Sequence, residues 1–444
     1  MKDDPLPKLL AQLHEKTQSY ERYQVREAIV VLVGQRAVEP LIGLLDDKAE
    51  SISWEACKIL GLLWDRRAVA PIAARLNQFG WEGPQALGRL GGARASETLL
   101  QSLEAHKDLR IATIRALGVL REKRAIPALI KLLPIGHGHL FASEGIGDLD
   151  LGDNAAASLA QIGKPAREAL LEPLQHPDPF VRERAATALV GAKNPRATPQ
   201  LLKQLDDDIL PALAAARALA ALKEKAAVTP LLRWLERPSK SRFSVTAVEC
   251  LGEIGDPHTF SALRAVAEGA ERELAASATG ALGGIRTDEC FRYLTQCPVD
   301  RAFASYRALG YQRDPRAFEF LIEHLKNSGN TEAMVLSDTL LQLGDTRAIS
   351  HLMKRAQQPG DNIAYEIFPA VAGLSSAGIK IVAEFLHSTN HESRWSALLA
   401  LGESQKKEAI PYLRPLLKHP DADVRQEAIT AMASIFYAHR MTGP

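Results

Sequence analysis

The chain is poor in the residues that usually announce chemistry. It has 4 cysteines in 444 residues, and Cys57, Cys250, Cys290 and Cys297 lack the paired short spacings of a zinc site or a disulfide framework. Free thiols in a reducing compartment are the expectation. The formal net charge is +1, which leaves no basic surplus to hold a phosphate backbone or an anionic lipid surface. There is no Gly-rich phosphate loop, no nucleophile elbow and no His-x-x-x-His helix. The opening MKDDPLPKLL has no apolar signal core, and no window is expected to approach a membrane span. A cytoplasmic protein with no catalytic residue, cofactor or resident metal is the first expectation. Aromatics make up only 6% of the chain, so the position of each one is informative.

What the chain does have is repetition. The stretch Glu408–Ile435, EAIPYLRPLLKHPDADVRQEAITAMASI, reads as helix, polar turn, helix. Ile410, Leu413, Leu416 and Leu417 form one apolar face at helical spacing, and Pro411 sits near the start, where its missing N–H costs little. The turn HPDAD supplies Asp421 or Asp423 to cap the second helix, which buries Val424, Ala428 and Met432. Neither helix can hide its stripe alone, so each pair must stack on the next.

The same unit recurs along the chain. A small residue after a charged turn opens each first helix, as in QRAVEPL at Ala37, RRAVAPI at Ala68, KRAIPAL at Ala125, PRAFEFL at Ala317 and KEAIPYL at Ala409. Most gaps between such markers are about 27 to 32 residues, a period that means helix-pair repeats. Second helices share a β-branched or Leu residue, then Arg, then small residues closing on Leu-Gly: VREAIVVLVG at Val25, LRIATIRALG at Leu109, with SRWSALLALG at Ser393 keeping the Arg and the ending. The closing Gly is expected to take the left-handed turn that ends the helix. The fold class expected is all-α, a solenoid of about thirteen stacked helix pairs. It is expected to be one domain over 1–444, with 1–34 as a capping repeat. Pro369, inside a second helix, is expected to kink it.

These residues resemble the HEAT family, and more closely the bacterial phycobilisome-lyase-type HEAT-like repeats. The Asp-x-x-Val-Arg element of that family stands at Asp178/Val181/Arg182 and Asp421/Val424/Arg425. The resemblance implies a right-handed superhelix whose second helices line a concave surface, and a scaffold or adaptor that binds a protein or peptide there, monomeric by default. A bilin-lyase-like chromophore carrier is the alternative it implies, and no lyase residue is carried over. The deoxyhypusine hydroxylase type needs several His-Glu pairs on repeated helices, whereas this chain has His14-Glu15 and His391-Glu392 only. A nucleic-acid binder of the alkylpurine glycosylase type ranks last, for want of positive charge.

Two departures from the ladder carry the functional expectations. The first is an insertion in the fourth full repeat, PIGHGHLFASEGIGDLDLGD from Pro134 to Asp153, where His137 and His139 are candidate partner contacts. A metal is not expected there: the Asp148-x-Asp150 run looks faintly like a calcium loop, but Leu159 stands where a bidentate Glu is required. The second is a set of aromatics seven residues before the closing Gly of a second helix: Trp54, Trp81, Phe303 and Trp395. Trp54 and Trp81 come from consecutive repeats, with Lys58 and Gln85 one turn further on. Adjacent indoles beside a cation and an amide have the makeup of a binding hot spot. Each ring has a second reading, as packing folded down between layers.

Overall fold

A computed structural model describes residues 4–16, 18–136, 151–236, 242–357 and 363–441. These are all helix, turn or loop, with no strand among the described residues, and the architecture is an α-solenoid of stacked helix pairs. They divide into two compact units. Unit 1 runs to residue 236 and includes Arg242–Cys250, and unit 2 begins at Leu251.

In unit 1 the helices are α1 (Leu6–Glu15), α2 (Ser19–Ala28), α3 (Val38–Gly43), α4 (Glu50–Leu63), α5 (Val69–Ala74), α6 (Glu82–Leu90), α7 (Ala93–Ala105), α8 (Arg110–Val119), α9 (Ile126–Leu132), α10 (Leu151–Ile162), α11 (Pro179–Ala192), α12 (Thr198–Gln204), α13 (Ile209–Ala221), α14 (Val228–Leu235) and α15 (Arg242–Ile254), whose last residues belong to unit 2. Unit 2 continues with α16 (Phe260–Ala267), α17 (Arg272–Ala281), α18 (Asp288–Thr295), α19 (Ala302–Gln312), α20 (Ala317–Lys326), α21 (Asn330–Leu343), α22 (Ala348–Ala356), α23 (Ala364–Leu374), α24 (Ser376–Glu384), α25 (His391–Glu403), α26 (Ile410–Leu413) and α27 (Ala422–Met441). Second helices pack on second helices: α4 on α6, α6 on α8, and in unit 2 α19, α21, α23, α25 and α27 in succession.

Two recurrent devices join the layers. In the first, an acid two residues before an Arg makes the turn that opens a first helix. Asp65 Oδ1 accepts the Arg67 backbone N–H at 3.0 Å and its side chain folds back on the same carboxylate, while Arg67 Nη1 reaches Glu39 of the preceding repeat at 2.9 Å. Glu122/Arg124 with Glu97, Asp314/Arg316 with Asp288 and Asp345/Arg347 with Glu319 repeat it. In the second device the Arg of the Val-Arg element caps the helix before it. Arg182 donates to the carbonyls of His176 and Pro177, and Arg425 to those of His419 and Pro420. These carbonyls would otherwise be left over at the end of the first half of the pair. Asp178 and Asp421 accept backbone N–H groups at the start of the second helix, as the turn sequence implies.

Two expectations are corrected. The closing Gly takes positive φ in some repeats, Gly34 at 61°, Gly163 at 74° and Gly344 at 79°, and in others it does not. Trp64, Arg121, Arg313 and Gln405, each three residues beyond a closing Gly, have φ between 51° and 57°. The glycines serve close approach instead: a Cβ on Gly61 would lie 2.9 Å from Ala86 Cα, and one on Gly88 3.1 Å from Ala116 Cα. The second correction concerns Ser19–Asp46, which is long and apolar enough to cross a membrane by length and composition. Along it run α2, a π turn at Ile29–Val33, a 3-10 turn and α3. Gly34, at φ 61°, turns the chain in the middle of that run, and Ile29, Val33, Val38 and Leu41 are buried.

Candidate partner-binding face of the second helices

The aromatics singled out in the sequence stand at the surface. Relative exposure is 36% for Trp54, 59% for Trp81, 41% for Phe303 and 39% for Trp395. Trp54 combines both of its readings. Its indole Nε1 donates to Gln78 O at 2.6 Å and its six-membered ring lies against Gly80, at the turn that leads into Trp81. The ring is therefore fixed by the next repeat while its open side faces solvent. Trp81, directly before α6, is the more open of the two, and Gln85 is partly exposed one turn on.

Lys58 is not a spare cation. Its Nζ lies 2.7 Å from Oε1 of Glu82, which is 4% exposed. The same position one repeat earlier is built the same way: Arg26 Nη1 donates to Glu55 Oε1 at 2.7 Å, and Glu55 follows Trp54 as Glu82 follows Trp81. The glutamate after each indole thus takes a cation from the preceding second helix. Arg26 also lies 5.1 Å from the ring centre of Tyr23, itself 38% exposed. The indoles of unit 1 sit on an electrically closed rung, with apolar area and hydrogen-bonding edges to offer but no net charge.

Unit 2 carries a longer aromatic row than the sequence shows. Phe303 and Trp395 are joined by Met334 (39% exposed) and Tyr365 (49%), on the successive helices α19, α21, α23 and α25. Tyr365 and Trp395 stack, with ring centres 5.5 Å apart and planes 12° from parallel. Counting from a closing Gly misses Met334 because α21 has Leu341 in that place. Gly310 packs on Thr339 as Gly61 packs on Ala86, which sets the register, and Gly344 falls three residues late. The same count fails at the front of the chain: it reaches Glu27, which is 1% exposed.

Arg184 was not foreseen either. Seven before Gly191, it is 3% exposed and points inward, donating to the carbonyls of Leu133 (2.6 Å) and Gly136 (2.7 Å) and pairing with Asp153 at 2.7 Å. It ties together the two described ends of the insertion. His137 and His139 lie outside the described residues, as do Glu144, Asp148 and Asp150.

No cluster of three or more His, Cys, Asp or Glu able to hold a metal occurs among the described residues. Burial, with the charge of Glu82 behind it, pushes the Cys57 thiol far up, and burial pushes Cys290 up to about 12. On the first-helix side of unit 2 a groove of about 770 Å³ runs between α22 and α24 over Ile349, Met353, Ile381 and Phe385. Two of its hydroxyls engage the backbone: Ser350 donates to Arg347 O and Ser375 accepts from Gly378 N–H.

Comparison with known proteins agrees with the repeat. The model of HEAT repeats matches residues 150–212, 206–283 and 379–440, and that of the PBS lyase HEAT-like repeat matches 109–133. No curated protein matches the chain. Among solved structures, the complex of CpcE and CpcF of phycocyanin lyase from a Nostoc species is similar at 25% identity, over 57% of this chain and 96% of that one, with a TM-score of 0.36. The Kap95–Nup1 complex is similar at 12% identity over 98% and 77%, with a TM-score of 0.43. Human deoxyhypusine hydroxylase is similar at 18% over 73% and 99%, with a TM-score of 0.24.

Proposed function

We propose that the chain, whose residues 150–283 and 379–440 match HEAT repeats, is a non-enzymatic scaffold whose second-helix face binds a protein or peptide partner. The observation that carries this is the pair Trp54 and Trp81, open to solvent on consecutive repeats, with Trp54 held in place by its bond to Gln78 O. A large ring already fixed by its own fold loses little conformational freedom on docking, so its burial converts efficiently into affinity. The closed rungs beneath, Arg26–Glu55 and Lys58–Glu82, leave the apolar surface as the source of that affinity and keep charge out of it.

The test is capture of partners from the native cell with the wild-type chain, with Trp81→Ala and with Trp54→Phe plus Trp81→Ala. The phenyl ring keeps an apolar ring at position 54 while dropping the hydrogen bond to Gln78 and the outer indole atoms that lie against Gly80. The expected result is a loss of at least tenfold in retained partner, since central aromatic anchors are worth about 2 kcal/mol or more each. A partner held equally by all three proteins would remove this face from the account. If the chain were instead a chromophore carrier, incubation with a bilin followed by gel filtration would leave colour with the protein, and protein capture would be indifferent to Trp81.

A further inference from the structure

The glutamate next to the aromatic row recurs in unit 2 without an ion pair among the described residues. Glu366 follows Tyr365 as Glu82 follows Trp81, but Asp338 occupies the place on α21 that Lys58 has on α4. Glu427 has the corresponding place on α27; on the preceding helix α25 the place of Lys58 holds Leu399, and Arg394, at the place Arg26 has on α2, acts on Glu427 only from beyond ion-pair distance. Both glutamates are only partly exposed. Glu366 Oε2 is sealed from solvent and has no hydrogen-bond partner. Glu427 and Asp338 are both held above the ordinary carboxylate range, chiefly by the burial of their charge, with His391 and Arg394 partly offsetting this at Glu427 and Arg307 at Asp338. Between the two glutamates lies the stacked pair Tyr365–Trp395.

We propose that this strip of unit 2 is the docking site for a basic peptide segment, whose Lys or Arg side chains take the places that cations of the chain itself fill in unit 1. The proposal rests on the reading of the second-helix face as the binding face, and it adds where on that face charge selects the ligand. A carboxylate that has shed water on one oxygen and gained no donor is under-compensated, and an incoming ammonium or guanidinium at its open side restores the balance. The flanking rings supply apolar area and a face over which a cation is attracted. Glu366 and Glu427 are two layers apart, on α23 and α27, so a ligand must span roughly 20 Å at about 10 Å per layer. In extended form that is about six residues at 3.3 Å each. The ligand is therefore a segment with two cationic side chains about six positions apart and an aromatic or aliphatic residue between them.

The probe is a library of random dodecapeptides displayed on phage and selected on the immobilised full-length protein, with enriched peptides remeasured by fluorescence anisotropy. The expected outcome is enrichment of Lys/Arg pairs around an apolar residue. Binding of those peptides should fall about tenfold in Glu366→Gln, which keeps shape and removes charge, and by as much in Trp395→Ala. It should weaken as salt rises and be untouched by Trp81→Ala. No enrichment, enrichment of neutral or acidic sequences, or full binding by both Glu366→Gln and Trp395→Ala overturns the proposal. Peptides lost with Trp81→Ala but retained by Trp395→Ala overturn it while leaving the scaffold reading in place.

Discussion

The second-helix faces of the two units start from one plan and end with opposite electrostatics. In unit 1 the glutamates after the indoles are answered from within, Glu55 by Arg26 and Glu82 by Lys58, each at 2.7 Å. In unit 2 Glu366 and Glu427 make no ion pair among the described residues: Asp338 and Leu399 stand at the place of Lys58, and Arg394, at the place of Arg26, offsets the burial of Glu427 only in part. The difference teaches that an acid at one place of the repeat can be answered from within in one layer and left open in another. A closed rung contributes stability and offers an apolar surface. An open rung keeps an electrostatic cost in the free protein, which a cationic ligand can relieve.

The sharpest way to break the contrast is to open a rung in unit 1. Lys58→Asp would leave Glu82, 4% exposed, beside a second acid instead of its cation. Because Lys58 itself is partly solvated, the loss is expected at about 2–3 kcal/mol, below that for a fully buried pair. Neighbouring repeats are coupled only to each other, so the loss is read best as faster amide exchange confined to Glu50–Leu90, with distant helices unchanged. Protection that stays at wild-type level would mean the rung contributes nothing and the contrast is cosmetic.

The reverse exchange closes a rung in unit 2. Asp338→Lys places an ammonium where Lys58 stands in unit 1, one layer from Glu366, and removes an acid whose charge burial disfavours. A gain of about 0.5–1 kcal/mol is expected for a pair this open to water, seen as slower exchange in α21 and α23. The same substitution should abolish binding of any basic peptide that needs Glu366. Stabilisation with binding intact would separate the rung from the ligand site.

How far the sequence reached follows from which signals are periodic. Helix pairing, the Asp178 and Asp421 caps and the Val-Arg element are local and repeat, so they are legible in the letters alone. Trp54 and Trp81 were found because each lies seven residues before a true packing glycine. Met334 was missed because Leu341 replaces that glycine, and only the fit of Gly310 onto Thr339 restores the register. The ion pairs of Lys58 and Arg26 join residues 24 and 29 positions apart, with different donor positions on their helices, so no spacing announces them. Arg184 was hidden for a related reason: an arginine among small residues reads as a surface charge until its carbonyl partners, 48 to 51 residues away, are in view.

The first-helix side provides the control, because there the two units agree. Asp65/Arg67 and Glu122/Arg124 in unit 1 match Asp314/Arg316 and Asp345/Arg347 in unit 2, and the guanidinium folded back on each carboxylate lowers all four acids. Glu122 is held at about 2 from an ordinary 4.5, first by its bonds from Arg124. An acid with a folded-state pKa below its unfolded value contributes fully above the unfolded value. It loses that contribution as pH falls toward the folded one, because the unfolded chain then binds more protons. The Glu122 turn should therefore hold down to about pH 4.5 and loosen between there and pH 2, and the turns of Asp65, Asp314 and Asp345 should begin to loosen in both units as pH falls below their ordinary 3.8, with Glu122→Gln flattening the response of its own repeat. The effect is small for each partly solvated turn, and amide exchange at Arg67, Arg124, Arg316 and Arg347 across that window measures it. Turns that loosen in one unit and not the other would show that the difference between the units reaches both faces of the repeat, and Glu366 and Glu427 would then be one symptom of a wider divergence.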